Sequence, residues 1–206
     1  ELGDPLPTLL VVALAEDDAE GAVTVLEPAW ALIRDRGVGN LSIFPVAHVL
    51  AEAYVGVGRI GAATEVARVL RSCPAGGRLW SVAMAGRCEA LVASATGDDA
   101  AARAALESAL AAHAELPEPF ELARTLLVQG RIERRAKRRA VSREALSRAL
   151  DVFDHLGARA WAERTAAELA RIPGRRRAPG ELTETERRVA ELVAEGASVA
   201  ISSRSR

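Results

Sequence analysis

Apolar residues recur along this chain at intervals of three and four positions, which is the spacing of one face of an α-helix. The clearest example lies in the segment 142–157, where the apolar stripe consists of Leu146, Ala149, Leu150, Phe153 and Leu156. Charged residues fill the opposite side of this segment, and Gly157 occupies a position at which a glycine commonly ends a helix. The pattern predicts an amphipathic helix that buries one face.

Glycine and proline residues divide the rest of the chain into stretches of helical length that are rich in Ala, Leu, Arg and Glu. No run of alternating β-branched or aromatic residues predicts a strand. The predicted helices cover about 6–15, 18–36, 42–55, 60–72, 78–95, 99–115, 119–137, 140–156 and 158–171. The sequence therefore predicts an all-α fold.

A helix, a short turn and a second, alanine-rich helix recur in three stretches: Ala47–Leu70, Ala85–Leu110 and Ala123–Leu150. Their turns fall near Gly58, Gly97 and Ala136, about 40 residues apart. A helical hairpin cannot bury its own apolar face, so such hairpins stack into a superhelix. The pattern resembles tetratricopeptide-like repeats with a lengthened period, although no repeat has their full aromatic and proline signature. The resemblance implies a superhelix of about four hairpins over residues 1–172.

Charge is distributed unevenly along the 206 residues, although the net charge is only −1. Residues 1–120 contain 16 acidic residues (Asp and Glu) and 8 arginines. Residues 121–206 contain 12 acidic residues and 19 basic residues (Arg and Lys). The N-terminal part of the chain is therefore acidic and the C-terminal part, the basic back half, is basic, which suggests different partners for the two ends.

Membrane insertion is not expected, because the longest apolar run, Leu9–Ala15, is far shorter than the roughly 20 residues that span a bilayer. No signal-peptide pattern is present, so we expect a cytoplasmic protein with no membrane contact. Because the chain starts with Glu1 rather than an initiator Met, we also expect it to be a piece of a longer protein.

Residues that could support enzymatic chemistry are sparse. The run Gly56–Gly61 matches the dinucleotide-binding pattern Gly-x-Gly-x-x-Gly, but a predicted helix precedes it, so a turn within a hairpin is favoured. Cys73 and Cys88 are too few for a disulfide framework and are interpreted as core or inter-helix residues. The histidines, at 48, 113 and 155, lack metal-ligand spacing and could act as ligands or bases only if the fold gathers them. We expect no enzyme activity, no metal and no cofactor.

Basic residues cluster in two places that could neutralise the phosphates of DNA without reading its sequence. The first is the run Arg131, Arg134, Arg135, Lys137, Arg138 and Arg139, whose arginines are interpreted as lying on one helical face. The second is Arg175, Arg176 and Arg177, in a Pro- and Gly-rich stretch interpreted as a linker over residues 173–181. For the first run, a solvated face at a hairpin turn is the alternative.

A short, well-capped helix is predicted at the start of the last segment, residues 182–206. Thr183 and Glu186 have the spacing of a capping box, in which each side chain binds the backbone amide of the other residue. Val189 and Leu192 then continue an apolar stripe, and Gly196 ends the helix.

These residues resemble the opening of a LuxR-type helix-turn-helix domain, which reads Leu-Thr-x-Arg-Glu-x-x-Val-x-x-Leu-x-x-Gly-x-Ser-Asn. The positions that carry the resemblance are Leu182, Thr183, Glu186, Val189, Leu192 and Gly196. The stretch 120–157, followed by Trp161–Arg164 and the arginine-rich linker, is similar to the last repeats of the large ATP-binding LuxR-family regulators. In that family an ATPase module, which has no counterpart in this chain, precedes a repeat region that senses an effector or protein segment. A DNA-binding domain closes the chain.

The sequence departs from the family after Ser198, where Val199–Arg206 replaces the second helix and the recognition helix. The resemblance thus implies a regulator fragment whose DNA-binding domain is truncated. We expect specific operator binding to be lost, with weak, salt-sensitive DNA affinity supplied by arginines. The alternative is a stand-alone helical-repeat scaffold that binds a protein segment and never touches DNA.

Overall fold

The computed structural model describes residues 18–38, 41–42, 46–73 and 78–173. Within these ranges the chain forms eight α-helices and no strand. They are α1 (Ala19–Asp35), α2 (Ala47–Gly56), α3 (Ile60–Arg71), α4 (Arg78–Thr96), α5 (Asp99–His113), α6 (Pro119–Arg135), α7 (Arg139–His155) and α8 (Arg159–Ala170). The predicted all-α fold of packed helical hairpins is confirmed. The predicted helices at 6–15 and after Leu182 lie outside the described residues.

Each helix packs against the next one along the chain, so the elements form successive hairpins. Helices α2, α4 and α6 also contact one another across the hairpins and form an inner layer, while α3, α5 and α7 lie outside it. All three hairpins predicted from the sequence are present, as α2–α3, α4–α5 and α6–α7. The Gly-x-Gly-x-x-Gly run spans the α2–α3 turn and follows a helix, which confirms that it is a hairpin turn.

Small residues set the spacing between paired helices. A Cβ atom added at Gly86 of α4 would lie 2.7 Å from the backbone oxygen of Ala105 in α5, closer than real Cβ contacts. At Gly130 of α6 an added Cβ would collide with the side chain of Leu146, and the Gly130 carbonyl accepts a 2.7 Å hydrogen bond from the Ser142 hydroxyl. These two glycines therefore let the hairpin partners approach closely.

The hairpin turns share one helix-ending geometry, in which a residue with positive φ follows the helix. At Gly157, where φ is 67°, the next amide, that of Ala158, donates a 2.9 Å bond back to the Phe153 carbonyl. This is the Schellman arrangement, which glycine adopts without strain. The α6–α7 turn has the same geometry but places Lys137 at the positive φ of 61°. A lysine there is strained, because its Cβ crowds the following carbonyl.

We expect Lys137→Gly to stabilise the protein by about 0.5–1 kcal/mol, since relief of left-handed strain exceeds the extra flexibility of glycine in the unfolded chain. Urea unfolding followed by circular dichroism measures the difference. The matched control is Gly157→Lys in the equivalent α7–α8 turn, which should lower the free energy of unfolding. Equal or lower stability of Lys137→Gly would contradict the strain argument.

Candidate functional site

Four charged side chains meet at the centre of the inner helix layer. Arg87 of α4 is completely buried, and its Nε and Nη2 atoms lie 2.8 Å from Glu52 Oε1 and 2.7 Å from Glu121 Oε2. Arg124 of α6 is 1% exposed and contacts the same two carboxylates, at 2.8 Å for Glu52 and 3.3 Å for Glu121. Two positive and two negative charges thus link α2, α4 and α6. We call these four residues the ionic cluster.

The ionic cluster keeps its charges because pairing outweighs burial. Burial alone would raise the pKa of Glu52 and Glu121, but Arg124 and Arg87 hold both values below the usual range, that of Glu121 well below. Burial would likewise lower the pKa of Arg87, yet the carboxylates of Glu121 and Glu52 raise it above its ordinary value. Glu52, Glu121 and Arg87 are therefore ionised at neutral pH.

Two of the three histidines lie beside the ionic cluster, so the fold does gather them. His48 is buried edge-on against Trp80, and its Nε2 is 3.6 Å from Glu121 Oε1, which is too long for a hydrogen bond. His113 Nε2 lies 2.9 Å from the hydroxyl of Thr125, which itself donates to the Glu121 carbonyl. The third histidine, at position 155, is exposed.

Both buried histidines are neutral. Burial lowers the pKa of His48, and the carboxylate of Glu121 only partly offsets that effect. Burial, together with the charge of Arg87, lowers the pKa of His113 to about 4. Because the Thr125 hydroxyl already donates elsewhere, His113 Nε2 must be the donor to it. The remaining nitrogen, Nδ1, has no hydrogen-bond partner in the described part of the chain.

The ionic cluster borders a groove of about 490 Å³ on the inner layer. Residues of α1, α2, α4, α6 and α8 line it, so the groove runs across several hairpins. Glu52 and Arg124 form part of the lining, and Glu20 of α1 lies on the same side as Glu52. Arg131, Arg135 and Arg164 add positive charge from α6 and α8.

Trp161 anchors the α8 end of this groove. The indole is 5% exposed and packs against Phe120 and Phe153, with ring centroids 5.9 and 5.7 Å away. The guanidinium carbons of Arg124 and Arg164 lie 5.1 and 5.5 Å from the centre of the Trp161 ring, within cation–π range. The aromatic core therefore holds two groove arginines in fixed orientations.

The predicted basic run does not form one helical face, and that interpretation is corrected. Helix α6 ends at Arg135 and α7 begins at Arg139, so the run is divided between two helices and the turn that joins them. A continuous helical pattern cannot persist through the positive φ of Lys137. The divided run leaves its members in three different environments.

Of the predicted basic residues that the structure describes, Arg131 and Arg135 line the groove. Arg134 pairs with Glu168 at 3.3 Å, and Arg138 pairs with Glu133 at 3.3 Å, so part of the positive charge is neutralised within the fold. Exposed positions at the turn are Lys137, Arg138 and Arg139. The other candidate residues lie outside the described residues: Arg175, Arg176, Arg177, Leu182, Thr183, Glu186, Val189, Leu192 and Gly196.

Sequence reasoning missed the ionic cluster, although one signal was available. Arg87 falls on the apolar face of α4, at helical spacing from Trp80, Met84 and Leu91. A charged residue at a core position requires a buried partner of opposite charge. The identity of that partner was not visible, since Glu121 is distant in sequence and lies on a different helix.

Comparison with known proteins returned no match among family models, curated proteins or solved structures. In the ranges that the structure describes, no helix is long and apolar enough to cross a membrane. The same residues contain no group of three or more His, Cys, Asp and Glu side chains placed to hold a metal ion. Cys88 is buried and Cys73 half-buried, as interpreted from the sequence, and burial raises the pKa of the Cys88 thiol to about 12.

We expect Arg87→Met to destabilise the protein by about 3–5 kcal/mol, because it leaves two buried carboxylates with a single compensating charge. Urea unfolding of the variant measures the loss. The matched control is Arg59→Met, which removes the exposed 2.7 Å pair with Glu27 and should have a much smaller effect. Equal effects for the two variants would show that the ionic cluster does not support the fold.

Acidification from pH 6.5 to 5 should destabilise the protein through its buried histidines. Their pKa values are lowered in the folded state, so the unfolded chain binds protons first and stability falls as the pH drops. Each histidine should contribute a slope of up to about 1.4 kcal/mol per pH unit.

Urea unfolding at several pH values measures this slope. His113→Gln should reduce it, because the amide can still donate to Thr125 but does not titrate. His155→Gln, at an exposed position, is the matched variant for comparison. A slope that His113→Gln does not alter would contradict the assignment.

Proposed function

We propose that this chain is the sensor region of a LuxR-family transcriptional regulator, and that an effector or protein segment binds in the groove. The groove carries this proposal, because residues from five helices line one cavity of about 490 Å³. That volume lies within the range of about 300–1,000 Å³ that is typical of ligand sites. The proposal assigns the chain no catalytic role.

A ligand in this groove would contact elements that belong to different hairpins. Glu52 is on α2, Ala95 on α4, Arg131 on α6 and Arg164 on α8. Binding would therefore favour one arrangement of the hairpins over others, as a sensor requires. The link to transcription rests on the resemblance of residues 182–198 and of the preceding linker to LuxR-type regulators. Such a regulator would act in the cytoplasm.

Filling the groove should abolish ligand binding without unfolding the protein. Ala95 is exposed and lines the groove, so Ala95→Trp places an indole in the ligand's space. The matched control is Ala104→Trp, at an exposed position of α5 that does not line the groove.

The ligands to test come from a displayed random-peptide library and a metabolite collection, both screened against the full chain. Ligands found in this way should bind Ala104→Trp like the unmodified protein and Ala95→Trp at least about tenfold more weakly. The absence of any ligand, or equal binding to both variants, would contradict the groove as the functional site.

Weak, sequence-independent binding to duplex DNA is expected if the basic back half contacts DNA. Affinity at low salt should lie near the micromolar range and fall steeply as salt is added. Fluorescence anisotropy with a random duplex measures it. Replacing Lys137, Arg138 and Arg139 by Gln should weaken binding to DNA and reduce its dependence on salt. Replacing the linker arginines by Gln should have the same effect; they are Arg175, Arg176 and Arg177.

Replacing three exposed arginines of the acidic region 1–120, Arg34, Arg36 and Arg103, by Gln is the control and should change DNA binding little. No DNA binding at low salt would favour the alternative function, a stand-alone scaffold that holds a protein segment in the same groove.

A further inference from the structure

Positive charge exceeds negative charge on one side of the groove. Arg131 and Arg135 project from α6, one helical turn apart, and Arg164 belongs to α8. The acidic residues of the lining are Glu20 and Glu52. Because Glu52 already pairs with Arg87 and Arg124, it does not neutralise the α6–α8 side.

The buried carboxylate of Glu168, on α8, is shared among three arginines. Arg131 Nε lies 3.4 Å from it, Arg134 Nη2 3.3 Å and Arg171 Nη1 2.7 Å. One negative charge cannot balance three positive charges, so an excess remains beside the groove. Arg135 is exposed, and no carboxylate in the described ranges lies within ion-pair distance of it.

Two of the groove arginines, Arg124 and Arg164, are oriented by contacts within the protein. Arg124 is held by Glu52, Glu121 and the face of Trp161, and Arg164 lies over the same indole ring. The Nε of Arg124 is buried and has no hydrogen-bond partner within the described residues. Guanidinium groups bind carboxylate and phosphate oxygens in planar, two-pronged contacts, and fixed orientation reduces the entropy lost on binding.

We propose that the groove binds a small polyanionic ligand, whose carboxylate or phosphate groups contact Arg131, Arg135 and Arg164. This inference rests on the proposed function and specifies the chemistry of its ligand. The cavity of about 490 Å³ matches a small organic anion.

Isothermal titration calorimetry of the full chain tests this inference with three probes: citrate, glucose 6-phosphate and uncharged glucose. Citrate carries carboxylates and glucose 6-phosphate carries a phosphate, so comparing the two titrations shows which anionic group the groove binds. Binding of at least one anion is expected, with affinity that falls as salt rises, whereas glucose should not bind.

Two matched variants locate the anion. Arg135→Gln removes a groove charge and should weaken binding at least about tenfold. Arg148→Gln removes an exposed charge of α7 that does not line the groove, and binding should be unchanged. Ala95→Trp should block the anion as it blocks other groove ligands. Equal weakening by Arg135→Gln and Arg148→Gln would show general surface attraction and overturn the inference.

Failure of the anion inference is distinguishable from failure of the groove itself. If neither anion binds at about 10 mM, the inference is overturned. Selected peptides or neutral metabolites whose binding is lost in Ala95→Trp would then still support the groove as a binding site. If no ligand of any charge depends on Ala95, both proposals are overturned.

Discussion

Arg87 is completely enclosed by protein and still carries its charge, and the packing of the inner helices depends on how that charge is balanced. Its partners come from α2 and α6, so the three inner helices converge on one guanidinium. Arg124 completes the balance by pairing with the same carboxylates. An apolar contact tolerates sliding, but a buried ion pair does not, because a displaced charge loses its partner in a low-dielectric interior. The ionic cluster thus fixes the register of three hairpins.

The ionic cluster and the groove share two residues, Glu52 and Arg124. The interior network therefore sets the position of these groove side chains. Trp161 provides a second link, since its ring contacts both the aromatic core and the arginines of the groove. Binding energy gained in the groove would act directly on the contacts that hold the hairpins together.

The remaining architecture is built from small residues and repeated turns. Gly86 and Gly130 allow helices to approach within a hairpin, and alanines fill much of the core between them. Contacts between alanines interlock less than contacts between large side chains, so they give limited specificity. Hydrogen bonds between buried polar groups add specificity to the helix packing. The Ser142 hydroxyl joins α7 to the backbone of α6, and His113 joins α5 to α6 through Thr125.

The sequence by itself determined the elements. Apolar spacing and the breakers between helices predicted the described helices and the three hairpins, and Gly157 was identified as the end of α7 because helix-ending geometry is a local property. The turn near Ala136 was predicted as well, but the positive φ of Lys137 was not, and the basic run that was interpreted as one face is split between two helices.

Only the tertiary structure decided which distant residues meet. Glu52, Arg87 and Glu121 belong to three different helices. The spacing of apolar residues predicts the face of the helix on which each residue lies, but it does not predict which residue of another helix it contacts. The same holds for the groove, where Arg131 and Arg135 become neighbours of Arg164 and Trp161 solely through the stacking of hairpins. Helix formation depends on neighbours in sequence, whereas charge pairing and cavity shape depend on neighbours in space.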